Sequence, residues 1–386
     1  MKITEIRTIP LSYRCEPPYG SAGGMQSARG SLLVEVETDG GVTGIGEVGG
    51  GGTRHVIEEQ LRPMLLGEDP LLIEGLWQKM FARTRQFGRR GIAMNAISGI
   101  DIALWDIAGK VARMPLYRLL GACRDRVEAY ASGGFYQAGK SVDDLAGEAE
   151  GYRALGFKGM KMKIGRNPST QTHLRHLAAQ ARSCEVEPEE DIARVAAVRR
   201  ALGPNAKLMA DVNCAWSPAM AIEMGRALEP YRLYWLEEPV ATDDIDGSAR
   251  VADALATPIA GYETEIGLYG FRELIARGAV DIVQPDLAWS GGFSECRRIA
   301  ALAQAHHLMV APHAFAGAVL LAASLHFAAA TANALLLEFD QNPNGLRDQL
   351  LKEPIAIDGD GMVRLPERPG LGIELDPAAV ARYRAA

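Results

Sequence analysis

The sequence predicts an α/β protein: an α+β segment comes first, followed by a barrel of eight βα units. Three observations carry this. From about residue 127 short apolar runs alternate with helical patterns, the texture of βα units on a parallel sheet. Eight such runs can be counted, the number that closes a barrel. Ionisable residues also recur at their ends with a steady step: from Asp211 to Glu237, Glu263, Asp286, His313 and Glu338 the intervals are 26, 26, 23, 27 and 25 residues. Each interval is close to one βα unit, so successive strands would deliver one ionisable group to the same rim. Scattered surface charge does not keep such a step.

Taken in order, "MKITEIRTIPLS" reads as a strand, and "SLLVEVETDGGVTGIGEV" reads as two strands joined at an Asp-Gly turn. Between them, residues 15–30 are rich in Gly, Pro and Ser and are expected to form a long mobile loop without secondary structure, the kind that serves as a lid. Helical patterns follow at 55–66, 71–84 and 91–111. The barrel strands are expected at 127–132, 157–164, 207–213, 233–239, 258–263, 280–286, 308–313 and 334–340. Hairpin-like segments after residue 350 come too late for the barrel. The expected division is therefore a capping domain at 1–125, a barrel at 126–350 and a C-terminal segment at 351–386 that returns to the capping domain.

Composition narrows the function. The 386 residues carry a net charge of −7, which argues against a nucleic-acid surface. Five cysteines without a CxxC spacing suggest a reducing compartment and no structural zinc. The N-terminus has no long apolar run of the signal-peptide kind, so a cytoplasmic location is expected. One apolar stretch, 314–339, is long enough to span a bilayer, but His326 and Asn333 interrupt it. A buried helix followed by a strand is expected there, and no membrane partner.

The chemistry gathers at the strand ends. In "GFKGMKMKIGR", alternation puts Lys161 and Lys163 on one strand face with Phe157 and Gly159, and Met160, Met162 and Ile164 on the other. Lys158 falls on the face opposite the two lysines. Either the lysines lie in solvent on a half-exposed strand, or crowding and burial lower the pKa of one until it becomes a usable base. Asp211, Glu237 and Glu263 would repel one another unless a cation sits between them, and an all-carboxylate trio suits Mg²⁺ or Mn²⁺ rather than Zn²⁺. Asp286 and His313 end neighbouring strands, where a carboxylate can fix an imidazole's tautomer and raise its basicity. His306 and His307 read as structural. His173 and His176 have helical i, i+3 spacing, on a solvated face or at a metal. Across the barrel from the dyad, Lys163 would face the other side of anything bound at the trio. Two bases flanking a metal-bound group is an arrangement for removing a proton next to a carboxylate.

These motifs, with "AISGIDIALWDIAGK", "DVN", "LEEP", "GYE", "QPD", "PH" and "LLEFD" in order over nearly the whole chain, resemble the enolase superfamily and specifically its mandelate racemase subgroup. The resemblance implies a capping domain over a modified (β/α)₇β TIM barrel, with Mg²⁺ on Asp211, Glu237 and Glu263. It implies Lys163 as a base, with Lys161 lowering its pKa and touching the substrate carboxylate. It further implies the Asp286–His313 dyad as acid or base on the other face, and Glu338 as a hydrogen-bond partner of the enediolate. Asn213, Tyr19, Met25 and Arg29 are candidate substrate contacts. The step from Lys163 to Asp211 is 48 residues, and the excess falls at 167–189, where an insertion could overhang the site or form a subunit contact. The implied substrate is a small carboxylate and the implied assembly a homo-oligomer. The C-terminal third is most similar to acid-sugar dehydratases and galactarolactone cycloisomerases. Dehydration is the first expectation, cycloisomerisation or racemisation the next, and a catalytically silent metal-binding barrel the non-enzymatic alternative.

Overall fold

The first strands build a three-stranded antiparallel sheet. β1 (Ile3–Ser21) and β2 (Gly24–Thr38) form one long hairpin, and β3 (Thr43–Val48) adds to β2 beyond the predicted Asp-Gly turn. Residues 15–30 are therefore not a loop but the outer arms of the hairpin, in which Tyr19, Gly20 and Ser21 pair with Gln26, Met25 and Gly24. Pro17 and Pro18, which argued for a loop, fall inside a register shift between Arg14 and Tyr19, where a missing N–H breaks no ladder bond. The hairpin tip is tied to the rest of the protein: Gly20 and Tyr136 exchange two backbone hydrogen bonds of 2.9 Å.

Helix α1 (Ile73–Thr84) packs against α2 (Ile92–Ala112), which covers this sheet. Contact between α2 and β3 depends on two glycines, because a methyl added at Gly44 or Gly46 would stand 2.0 Å from the carbonyl oxygen of Ala103 or Gly99. The computed structural model describes residues 1–167 and 184–385. Most of the expected insertion, with His173 and His176, lies outside the described residues.

All eight expected barrel strands are present: β4 (Arg126–Ser132), β5 (Gly159–Lys163), β6 (Lys207–Asp211), β7 (Trp235–Glu237), β8 (Ile259–Gly261), β9 (Ile282–Val283), β10 (Met309–Val310) and β11 (Leu337–Asp340). They pair in parallel in chain order, β11 lies beside β4, and a bridge from Val310 to Ala334 closes the ring. Outside it run α3 (Val142–Ala154), α4 (Pro188–Leu202), α5 (Pro218–Leu228), α6 (Ile245–Ala254), α7 (Gly267–Ala276), α8 (Gly292–Ala305) and α9 (Ala318–Ala330). Tyr130, Met209, Trp235, Ala260, Ile282, Ala311 and Leu336 pack together inside the barrel and form the floor of its mouth. Met160, Met162 and Ile164 face the other way and are buried in the main core. The stretch 314–339 becomes buried α9 followed by β11, as expected. α2 is also long and apolar enough to cross a membrane, but 78% of that window is buried inside the protein.

After the barrel, β12 (Met362–Arg364) pairs antiparallel with β4, and α10 (Pro377–Tyr383) leads back to the first sheet, where Ala385 N donates to Pro10 O at 2.8 Å. Two buried carboxylates join the N-terminal unit to the barrel. Glu47 on β3 accepts from Gly317 N at 2.7 Å and Leu320 N at 2.8 Å, at the start of α9. Asp101 on α2 accepts from Ser294 N at 3.0 Å and Ser294 Oγ at 2.6 Å, at the start of α8. Carboxylates suit helix N-termini, whose first N–H groups have no partner within the helix. These two helices begin just after Asp286 and His313, so the joint also steadies the segments that carry the dyad.

Candidate active site

Parallel register decides what meets at the C-terminal rim of the barrel. It pairs Lys163 with Asp211 and Asp211 with Glu237, while Asp286 and His313 pair with each other just beyond β9 and β10. Asp211, Glu237 and Glu263 are buried and each offers a carboxylate oxygen, all within 4.8 Å of one another. Lys161 Nζ is ion-paired with Glu237 and lies 2.9 Å from Glu338 Oε1 and 3.9 Å from Asp211 Oδ2. Lys163 Nζ is ion-paired with Asp211 and stands 5.0 Å over the Phe135 ring. At the far end of the trio His313 Nε2 is 3.4 Å from Glu263 Oε1, and its Nδ1 is 2.6 Å from Asp286 Oδ2. Asp286 is itself held through Oδ1 by Ala288 N at 2.6 Å. The lysine thus adjoins the first carboxylate of the trio and the histidine the third.

Burial decides between the two expectations for the strand-two lysines: Lys161 is 1% exposed and Lys163 6%, so neither is solvated. Lys158, by contrast, is exposed and outside the site. The expected lowering of the Lys163 pKa is not met. Burial pushes it down and Lys161 adds to that, but Asp211, Glu263 and Glu237 together lift it above the ordinary value. The ammonium of Lys161 is outweighed by the three anions that Lys163 faces. Burial likewise opposes protonation of His313, yet Glu263, Glu338 and the hydrogen bond with Asp286 raise it to about 10. Burial raises Glu237 to about 7 against the pull of Lys161. Glu338 moves the other way: burial would raise it, but Lys161, His313 and the N–H of Ala314 hold it well below the carboxylate range.

The trio forms a metal-binding set. Glu263 Oε2 is buried with no hydrogen-bond partner among the described residues, an arrangement a cation would complete. The other carboxylates are oriented from behind, Glu237 Oε2 by Trp235 Nε1 at 2.8 Å and Gln284 Nε2 at 2.9 Å, and Asp211 Oδ1 by Asn213 N at 2.8 Å. Oxygen donors alone, on three different strands or their ends, fit a hard divalent cation.

Comparison with known proteins agrees with this geometry. Residues 3–121 match the mandelate racemase / muconate lactonizing enzyme N-terminal domain, and residues 144–379 match the enolase C-terminal domain-like family. The chain belongs to the mandelate racemase / muconate lactonizing enzyme family of the enolase superfamily. This enolase-superfamily enzyme is 42% identical to an arabinonate dehydratase from Saccharolobus solfataricus over 99% of both chains. It is 38% identical to a D-galactarolactone cycloisomerase from Agrobacterium fabrum over 100% of its own length and 99% of the relative's. A racemase from Streptomyces coelicolor, solved with bound magnesium, superposes with a TM-score of 0.88 at 32% identity, covering 99% of this chain and all of that one.

The remaining predicted residues of this superfamily member fall around the mouth. Tyr19 and Arg29 are buried on the hairpin, with Arg29 Nη1 donating to Tyr19 OH at 2.9 Å. Met25 is half-buried at the tip, and Asn213 lies against Asp211 with its Oδ1 buried and unpaired among the described residues. Sequence reasoning missed Glu238. The second Glu of "LEEP" should alternate outward, but a φ of +43° takes it off the strand pattern and buries it beside the trio. Burial, with Glu263 and Asp211 nearby, pushes its carboxyl well above the usual range. It also missed the aromatic wall: Phe315 stacks on Phe135 at 5.4 Å, and Trp289 lies 5.5 Å from the His313 ring. The aromatic two places after His313 in "PHAF" was the available signal.

Proposed function

We propose that this enzyme removes the α-proton of an acid sugar and eliminates water from it, in a Mg²⁺-dependent reaction that Mn²⁺ can also support. The observation that carries this is the placement of Lys163 and His313 at opposite ends of the carboxylate trio. Asp211, Glu237 and Glu263 would hold the ion, which supplies positive charge to the substrate carboxylate and cancels the anionic field that keeps Lys163 protonated. Lys163 takes the α-proton. Lys161 steadies the carboxylate oxygens as negative charge develops on them, and Glu338, which its neighbours keep ionised and so without a proton to donate to the enediolate, holds Lys161 in place at 2.9 Å. His313, oriented by Asp286, gives a proton to the departing β-hydroxyl, which leaves as water, and the enol product rearranges to a 2-keto-3-deoxy acid. A second reading is supported by the 38% identical cycloisomerase: the same proton transfers would then open a sugar-acid lactone.

The test is incubation with Mg²⁺ and a panel of acid sugars and lactones in D₂O. Appearance of a 2-keto-3-deoxy acid supports dehydration. Ring opening without water loss supports the cycloisomerase, and epimerisation at the α-carbon a racemase. If no panel member yields product or takes up α-deuterium, the proposal gives way to a catalytically silent metal-binding barrel.

A further inference from the structure

On the wall of the mouth away from the metal trio, Arg29 Nη2 and Ser132 Oγ are buried without a hydrogen-bond partner among the described residues, and buried Asp340 Oδ2 is met there only by the ion pairs with Arg29 at 3.0 Å and Arg347 at 3.6 Å. They come from three separate segments, the hairpin and the ends of β4 and β11. Register brings two of them together: Asp340 pairs with Ser132, and Ser132 with Lys161. Register partners in a parallel sheet point to the same face, and Asp340 is two residues beyond Glu338, so both side chains turn inward beside Lys161 and Glu338. Arg29 reaches this place from above. Its Nη1 lies 3.0 Å from Asp340 Oδ2, and its guanidinium stacks 3.8 Å over Phe315, the ring that stands 5.9 Å from Lys163 Nζ and 6.3 Å from His313.

The charges in this corner already balance. Arg29 is matched by Asp340, and Arg347, 3.6 Å from Asp340, is matched by Asp348 at 2.7 Å. Asp340 Oδ1 is taken by Asn342, so what is left open is a donor on Arg29, the second lone pair of Asp340 Oδ2 and a hydroxyl on Ser132 that can be either. An alcohol meets all three needs. A carboxylate would meet only the donors and would bring a second anion against buried Asp340. We infer that Arg29, Ser132 and Asp340 form a distal subsite for a neutral hydroxyl, which makes the enzyme selective for aldonates, acidic at one end, over aldarates, acidic at both. This rests on the proposed acid-sugar chemistry and separates the substrate types named for the two relatives.

The experiment compares matched pairs, arabinonate with arabinarate and galactonate with galactarate, by calorimetric binding in Mg²⁺ buffer and by turnover. The wild type is expected to favour the aldonate of at least one pair by about 100-fold or more, because a site built around a hydroxyl rejects what cannot satisfy it. Asp340→Asn removes the anion, so the preference should move toward the aldarate by about 10-fold or more. Ser132→Ala should raise KM for the aldonate by about 10-fold with a smaller change in kcat, and it keeps the test open if Asp340→Asn fails to fold. An aldarate preference in the wild type, or a preference unmoved by either substitution, overturns the subsite. Aldonate-selective binding without turnover of any compound would instead overturn the proposed reaction and leave the subsite standing.

Discussion

Replacing Glu47 with glutamine tests the joint that holds the dyad's segments in place. The Glu47 side chain is fully buried and accepts three hydrogen bonds, from Ser31 Oγ at 2.6 Å, Gly317 N at 2.7 Å and Leu320 N at 2.8 Å. Burial pushes its carboxyl up, while Ser31 and the α9 N–H groups pull it back. Three donors and no acceptor around it identify the carboxylate form. Glutamine keeps the shape but turns one acceptor into an NH₂, which must face one of those donors. An unsatisfied buried donor costs about 1–3 kcal/mol, and loss of a negative charge at a helix N-terminus about 1 kcal/mol more. Glu47→Gln should therefore lose about 2–4 kcal/mol in urea unfolding at pH 7, and kcat should fall because Gly317 follows His313 and Phe315 so closely. Mg²⁺ affinity, set on the other strands, should hold. A variant as stable and as active as the wild type would refute the idea that this contact locks the capping sheet to the barrel.

Three other outcomes follow from single side chains. His326 is buried and neutral, bonded to Tyr117 N and Leu371 O, and burial lowers its pKa from 6.5 to about 4. The unfolded chain binds this proton between those values and the folded chain does not, so the contribution is complete above pH 6.5 and declines by about 3 kcal/mol as pH falls to 4. His326→Gln should flatten that part of the stability profile, and identical slopes would count against it. Glu263→Gln should weaken Mg²⁺ binding, read by calorimetry, by about 100-fold or more, since it removes an oxygen that no other described side chain satisfies. Asp286→Asn should lower kcat by about 10²–10⁴-fold by releasing His313 Nδ1; unchanged turnover would remove the dyad from the chemistry.

The barrel was legible because each strand is an apolar run closed by one polar residue, a pattern that survives without tertiary information. Lys161, Lys163, Asp211, Glu237, Glu263, Asp286, His313 and Glu338 could be gathered in this way, since strand order alone brings neighbouring rim positions together. The hairpin arms at 15–30 were misread because Gly, Ser and Pro signal turns, and only the contacts of Gly20 with Tyr136 and Arg29 with Asp340 show why an extended arm is held there. Those contacts join residues far apart in sequence, and no local pattern encodes them. Glu238 and Ser132 were hidden for a related reason. One leaves strand alternation through its backbone angle, and the other is an unremarkable serine until register sets it between Asp340 and Lys161.

The proposed mechanism has Lys163 and His313 acting on opposite sides of a substrate held at the carboxylate trio. It is tested most directly by following the α-proton of a turned-over acid sugar by NMR in D₂O with Mg²⁺, for Lys163→Met and His313→Asn side by side. No keto acid is expected from either variant, with α-deuterium exchange retained in His313→Asn and abolished in Lys163→Met. Exchange that persists in Lys163→Met, or disappears only in His313→Asn, would contradict it.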